Sequence, residues 1–397
     1  MGVRKIRFFI FLRDVAWLAV TAFGGPQVHM TLFLELLVKK RRYINEQEFW
    51  ELHALCQILP GPTSSQTIVT IGFRLGGAKL AYLTLLVWCL PGVFLMTIFG
   101  ILVAYLHAVK ISLDFMYVVQ PVAIGFMCHA ALNITTKIVH TQAGYILMGL
   151  AAIAAYFIHT PWVFPLAVAV GGVVTAFKFK AQEKEVKAPF RIQWANFILF
   201  WSVLFGLALA GYLTGWRWVR LSENFYRNGS FVYGGGQVLI PVLLTEFVKF
   251  KRYLTQDEFL SGYGLVQLVP GPVFSFASFI GVLAMREYGL GWQIAGGILA
   301  GLFIFIPGAF IMFFVIRIWE HLKGYRVVKA SIEGINATSA GLVIAAALFL
   351  VVSLEDSWDK LAYVTASFLL LQFTAVSRPV LILTALFAGL VWQFVKF

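Results

Sequence analysis

The sequence predicts an all-α, polytopic transmembrane protein made of two related, inverted repeats that contain broken or re-entrant helices. Three observations predict it. The hydrophobic fraction is 60% against 12% charged residues, several charge-free runs are long enough to cross a bilayer, and residues 24–62 recur at 234–272 without a gap.

Composition comes first. A soluble globular chain carries roughly 25% charged residues, and mean hydropathy here is +0.84. A chain this apolar needs lipid as its solvent. The net charge of +13 sits in short basic clusters between apolar runs, at 39–42, 178–191 and 249–252. Such flanks of spanning helices favour the cytoplasmic side, so no nucleic-acid partner is implied. Cys56, Cys89 and Cys128 lack metal-ligand spacing and read as reduced packing residues.

Along the chain, Arg4, Lys5 and Arg7 imitate a signal peptide, but Arg13 and Asp14 interrupt the apolar run. The first helix, 8–22, is therefore expected to be retained. Charge-free runs at 80–109, 138–177, 192–216, 288–316 and 334–354 each reach the ~20 residues a span needs. The 138–177 run divides near His159–Pro161. Less clean helices are expected at 63–77, 113–137, 219–233, 272–285, 361–376 and 379–396, about a dozen in all. The resulting organisation is a first repeat 1–178, a basic soluble linker 179–191, an extra connecting helix 192–216 and a second repeat 217–397.

The repeat keeps polar, Gly and Pro positions together, which shared hydrophobicity alone would not do. GGPQVHM, VKKRRYINEQEFW and LCQILPGP return as GGGQVLI, VKFKRYLTQDEFL and LVQLVPGP, and Pro91-Gly92 returns as Pro307-Gly308. The amino terminus and the linker are both basic and both expected in the cytoplasm. The extra helix 192–216 then adds one crossing and turns the second repeat upside down, the plan of many secondary transporters.

Candidate site residues cluster at the repeated breaks. Pro60 interrupts a helix, Gly61 is the expected cap, and Pro62 suits the first position of a new helix. The amides of Thr63, Ser64 and Ser65 would then lack intrahelical acceptors, with Gln57 three residues before and Gln66 after the motif. Helix starts carry partial positive charge and hold oxyanions. Gln267, Pro270, Gly271, Pro272, Ser275 and Ser278 form the second copy, so the two starts could face one site. The turns Gly24-Gly25-Pro26, with Gln27 and His29, and Gly234-Gly235-Gly236, with Gln237, break helices in the same way. After them Gln27, Thr31, Glu35 and Lys39 form a polar stripe. Gln237, Thr245 and Lys249 match it, which marks a path. Glu35, Arg42, Glu246 and Arg252 are candidates for coupling or gating.

The plainer readings stand beside these. A lone PGP is more often a kink than a site; two copies, each with a Gln three residues earlier, shift the balance. Arg74 and Arg286 read as interfacial anchors. Glu46, Glu48, Glu51 and His53 read as counter-charges to 39–42 rather than metal ligands. No Walker A, GxSxG or HExxH motif occurs, so neither an enzyme nor a cofactor is indicated.

At these motifs the sequence resembles the chromate ion transporter family in its long two-domain form. The resemblance rests on Phe23-Gly24-Gly25-Pro26 with His29, Leu59-Pro60-Gly61-Pro62 with Gln66, and Tyr233-Gly234-Gly235-Gly236-Gln237 with Pro270-Gly271-Pro272. It implies two halves of opposite orientation and export of chromate, with sulfate as mimic, driven by the membrane potential or a proton gradient. The setting would be a bacterial inner membrane, the chain multi-pass with its amino terminus cytoplasmic. Tyr233 stands where the family has Phe. A transporter or channel for sulfate or a cation stays open. So does a membrane-embedded enzyme or assembly subunit, and homo-oligomerisation is undecided.

Overall fold

The computed structural model describes residues 2–109, 114–158, 160–177, 194–233, 236–319, 326–354 and 358–395, so the 179–191 linker and Gly234-Gly235 lie outside the described residues. Every regular element among the described residues is helical. In order they are α1 (Gly2–Thr21), α2 (Pro26–Phe33), α3 (Glu46–Ile58), α4 (Thr63–Ala108), α5 (Val119–Ile138), α6 (Gln142–Phe157), α7 (Val163–Ala176), α8 (Ala195–Thr214), α9 (Arg217–Phe231), α10 (Gly236–Leu244), α11 (Gln256–Val266), α12 (Phe276–Ala284), α13 (Leu290–Val315), α14 (Arg326–Val352), α15 (Trp358–Phe373) and α16 (Arg378–Val395).

Four helices among the described residues have the length and apolarity to cross a membrane, within α4, α8, α13 and α14, and α6, α7 and α16 are shorter apolar helices. On α4, Leu83, Leu86, Leu90, Phe94, Ile98, Leu102 and Tyr105 are exposed at helical spacing. A continuous apolar stripe facing outward is stable in hydrocarbon and not in water. The chain is a multi-pass membrane protein.

The sequence repeat reappears in backbone detail. α2 and α10 each run into a π-helical turn, Leu34–Lys40 and Thr245–Phe250. Two residues beyond each turn stands an arginine with positive φ, 53° at Arg42 and 54° at Arg252. Asn45 and Thr255 then cap α3 and α11 by accepting from the amides of Glu48 and Glu258. The recurrence of Glu48 as Glu258 thus reflects the third position of a capped helix. Glu48 pairs with Arg74 at 3.5 Å. The acid that meets the first basic cluster is instead Asp14, 5% exposed, which takes bonds from Arg41 at 2.8 and 2.9 Å and from Tyr43 at 2.8 Å.

The chain divides into two compact units, each drawing on both repeats: 1–101, 190–230 and 269–319 in one, 102–189, 231–268 and 320–397 in the other. In the second unit α14 packs against α6 and α7, and α5 packs against α15 and α16. The α7–α14 crossing is made by Gly171 and Gly334, where an added Cβ would fall 2.6 Å or less from the facing carbonyl. Small residues permit that approach, the usual currency of helix association in lipid.

In the first unit α4 is not one helix. Gly77 (φ 70°, ψ −165°) breaks it into a short limb, 63–76, and a long limb, 78–108. The limbs fold back on each other: Gly72 lies against Thr84, and the Trp88 indole donates to Ser65 Oγ at 3.0 Å. The second repeat does the same around Gly289 (φ 88°), where α12 returns along α13 with Gly281 against Gly296 and Ser278 against Gly301. Each repeat therefore supplies a half-helix doubled back on a long helix.

The two long helices run in opposite directions. Tyr82 meets Phe313, Val93 meets Gly301 and Thr97 meets Gly297, so the numbering rises along one as it falls along the other. Equivalent elements that pack antiparallel are related by inversion, as the extra helix 192–216 predicts.

Candidate functional site

The half-helix starts define the site, and the chain geometry places both at one level. On the long limb of α4, Trp88 stands opposite Ser65 while Gly92 stands opposite Ser275 and the carbonyl of Pro270. From there the short limb descends toward Gly72–Thr84, and α12 climbs toward the Gly100–Val282 contact. On α13, Gly308 faces Gly61 and the Pro60 carbonyl. Each PGP turn thus meets the Pro-Gly pair of the other repeat, and the two half-helices point their amino ends at each other.

Local chemistry explains the starts. Gly61 and Gly271 take φ of 115° and 91°, which only glycine adopts without strain. Pro62 serves as cap rather than first helical residue, one position later than the sequence suggests: the Gln66 amide donates to its carbonyl at 2.9 Å, and the helix begins at Thr63. The amides of Thr63, Ser64 and Ser65 consequently have no intrahelical acceptor. Pro272 likewise accepts from the Ser275 amide at 3.0 Å, but through a single 3₁₀ turn, Val273–Ser275, before α12.

Side chains tie the starts together. Gln66, 3% exposed, donates from Nε2 to the carbonyls of Pro60 at 2.7 Å and Gly308 at 3.3 Å. The Ala22 carbonyl, at the end of α1, accepts from the Gly271 amide at 2.9 Å and lies 3.3 Å from His29 Nε2. A carbonyl only accepts, so that ring nitrogen carries a proton. Nδ1 of His29 lies 3.2 Å from Ser64 Oγ, and its ring stacks edge-on with Trp88 at 5.2 Å. The Gly24-Gly25-Pro26 turn makes this possible. Gly24 and Gly25 have φ of 99° and 83°, and Pro26 opens α2 three residues before His29.

Three buried acceptors or donors stay unmet here: Gln66 Oε1, Ser275 Oγ and Ser278 Oγ. Each costs about 1–3 kcal/mol, which marks the region as built for polar contact rather than for stability. A cavity of about 10 Å³, lined by Pro62, Ser65, Gln66 and the apolar side chains of Val69, Leu85, Phe305, Ala309 and Met312, adjoins the first start. That is room for one water centre. Anything larger than a water would enter only after the starts separate.

The contacts above do not include the other expected site residues. Gln57 is exposed, 3.2 Å from His53 Nε2. Gln267 is buried, and with Gly236, Glu246 and Arg252 it belongs to the other unit. The side chains of Gln27 and Gln237 are outside the described residues. Thr31, Glu35 and Lys39 are exposed along the first stripe, whereas Thr245 and Glu246 are buried along the second and Lys249 Nζ sits 3.1 Å from the Phe349 ring centre. Arg42 is exposed. Sequence reasoning missed Trp88, since a tryptophan in an apolar run carries no signal of its own, and read Asp14 only as an interruption of the first apolar run, although an acid midway along such a helix calls for a partner.

Comparison with known proteins places the chain. The family profile "Chromate transporter" matches residues 9–176 and 219–390, the two repeats. An uncharacterised transporter of Methanocaldococcus jannaschii is 25% identical over 369 residues, 92% of this chain and 88% of that protein. The chromate transport protein of Cupriavidus metallidurans is 24% identical over 387 residues, covering 94% and 90%. That of Pseudomonas aeruginosa is 26% identical over 328 residues, covering 81% and 76%. No solved structure matches.

Proposed function

The chain belongs to the chromate transporter family, and from that premise we propose that it carries a tetrahedral inorganic oxyanion across the cell membrane. The substrate is chromate, with sulfate as competing analogue, moved outward on the membrane potential or a proton gradient without covalent change. The amino terminus is cytoplasmic.

One observation carries this reading: two half-helix amino ends, one from each inverted repeat, meet head to head at the Pro91-Gly92 and Pro307-Gly308 kinks. Amides at a helix start inside hydrocarbon need an acceptor, and partial positive charge from both sides favours a dianion. Thr63, Ser64, Ser65, Ser275 and Ser278 supply the donors, and Gln66, whose Nε2 holds the Pro60 and Gly308 carbonyls, braces them together with His29 and the Gly24-Gly25-Pro26 turn. The tight packing corresponds to a closed state that parts to admit the anion. Glu35, Arg42, Glu246 and Arg252, in and just after the two π-helical turns, would serve coupling or gating.

The test is chromate uptake into inverted vesicles. Gly61→Val adds a side chain where a Cβ already meets Gln66 Nε2 at 3.0 Å, and Gly271→Val strains a positive φ. Both should abolish uptake while membrane insertion persists. Unchanged uptake in both variants overturns the proposal.

A further inference from the structure

α9 occupies the place of α1 in the second repeat but is far more polar: Asn224, Arg227 and Asn228 stand 210 positions after Asp14, Trp17 and Leu18. Most of its buried polar groups are satisfied. Ser222 and Ser230 donate to the carbonyls of Trp218 and Tyr226 at 2.9 and 2.7 Å, and the Tyr226 hydroxyl donates to the Phe200 carbonyl at 2.9 Å. Arg227 donates to Glu223 at 2.8 Å and to Asn224 Oδ1 at 3.0 Å. Two side-chain amides on this helix are different. Asn224 and Asn228, 2% and 3% exposed, each bury a side-chain NH₂ without an acceptor.

The Asn224 amide is oriented by chemistry. A guanidinium only donates, so the atom facing Arg227 is the oxygen and the unmet group is the NH₂. Residues four apart lie on one helix face with Cβ atoms about 5–6 Å from each other. Two free donors at that spacing, beside a cationic side chain, suit an acceptor with several oxygens and negative charge. Leu18, the counterpart of Asn228, is buried and apolar, so packing at this place does not require an amide.

We infer that Asn224 and Asn228, with Arg227, form a second oxyanion station on α9; this rests on the oxyanion reading above. Gly229, next to Asn228, packs on the Ile304 carbonyl and Pro307, where an added Cβ would lie 2.3 and 3.1 Å away. That is the kink carrying Gly308, so the station adjoins the helix that faces the first half-helix start. Glu223 offsets part of the Arg227 charge, which keeps the anion releasable, as conduction through successive sites requires.

Direct titration of the purified full-length protein in lipid nanodiscs, with chromate and sulfate as probes, tests this. Asn228→Leu installs the side chain that the first repeat already uses. It should leave thermal stability unchanged or raised, because an unmet donor disappears, yet weaken both anions at least tenfold. The near-isosteric Asn228→Asp and Asn224→Asp should weaken them further by adding negative charge. Wild-type affinity within twofold in Asn228→Leu and Asn228→Asp overturns the station. If affinity falls only in Gly61→Val, the half-helix site stands and the station does not. If the wild-type protein binds neither anion, both readings fail.

Discussion

Gly308 lies directly against Gly61: a Cβ built on Gly61 would come within 3.4 Å of the Gly308 Cα, and one built on Gly308 within 3.0 Å of Gln66 Nε2. The two glycines are 247 residues apart and belong to different repeats. Their contact joins the kink of one repeat to the half-helix start of the other.

Enlarging Gly308 should therefore wedge the first start. Gly308→Val is expected to cut chromate uptake into inverted vesicles more than tenfold. Gly206→Val on α8 is the control, since nothing lies within 4 Å of an added Cβ there. Equal uptake in the two variants would count against the starts as the transport site.

Selectivity follows from what the donors can read. Backbone amides and Ser and Thr side chains sense shape and charge, not the central atom. Chromate and sulfate should compete, and planar monovalent nitrate should compete poorly. Gln66→Leu frees the Pro60 and Gly308 carbonyls that its Nε2 holds; at about 1–3 kcal/mol for each buried polar group left unmet, it should loosen the first start and weaken both dianions about tenfold or more. Gln57→Leu, at an exposed position, should change uptake little. Nitrate competing where sulfate fails would rule out the dianion site.

Orientation is open to labelling. Single cysteines in the 39–42 and 249–252 loops, at the two positive-φ arginines Arg42 and Arg252, should react with an impermeant thiol reagent from opposite sides of the membrane. Reaction of both from one side contradicts the inverted arrangement.

The hairpins should be sensitive to volume. Gly281 faces the Gly296 carbonyl, where an added Cβ would sit at 2.3 Å. Gly281→Val must push α12 from α13 and is expected to destabilise by about 3 kcal/mol, read as a lower melting temperature in detergent. A wild-type melting temperature would show that the hairpin gives way freely.

The motifs PGP, GGP and GGG, their recurrence 210 residues on and the apolar runs were all legible in the sequence, because backbone breaks require Gly and Pro and spanning helices require apolar length. Those requirements are local, so a linear string records them. A helix between the repeats, at 192–216, could also be read from apolar length alone, and Ala195–Thr214 is long and apolar enough to cross a membrane.

Partnership across the fold was not legible. That Pro91-Gly92 meets Ser275, that Asp14 rather than Glu46 or Glu51 answers the basic cluster through Arg41, and that the Gln57 side chain faces outward all depend on which helix faces are buried against which neighbours. Distant packing sets those choices, and only small residues such as Gly92, Gly301 and Gly308 let the helices approach closely enough to make them. The sequence determined where the chain must break and that it breaks twice in the same way. The tertiary structure decided that both breaks point at one place, because only antiparallel packing of the two long helices brings opposite half-helix starts to a common level.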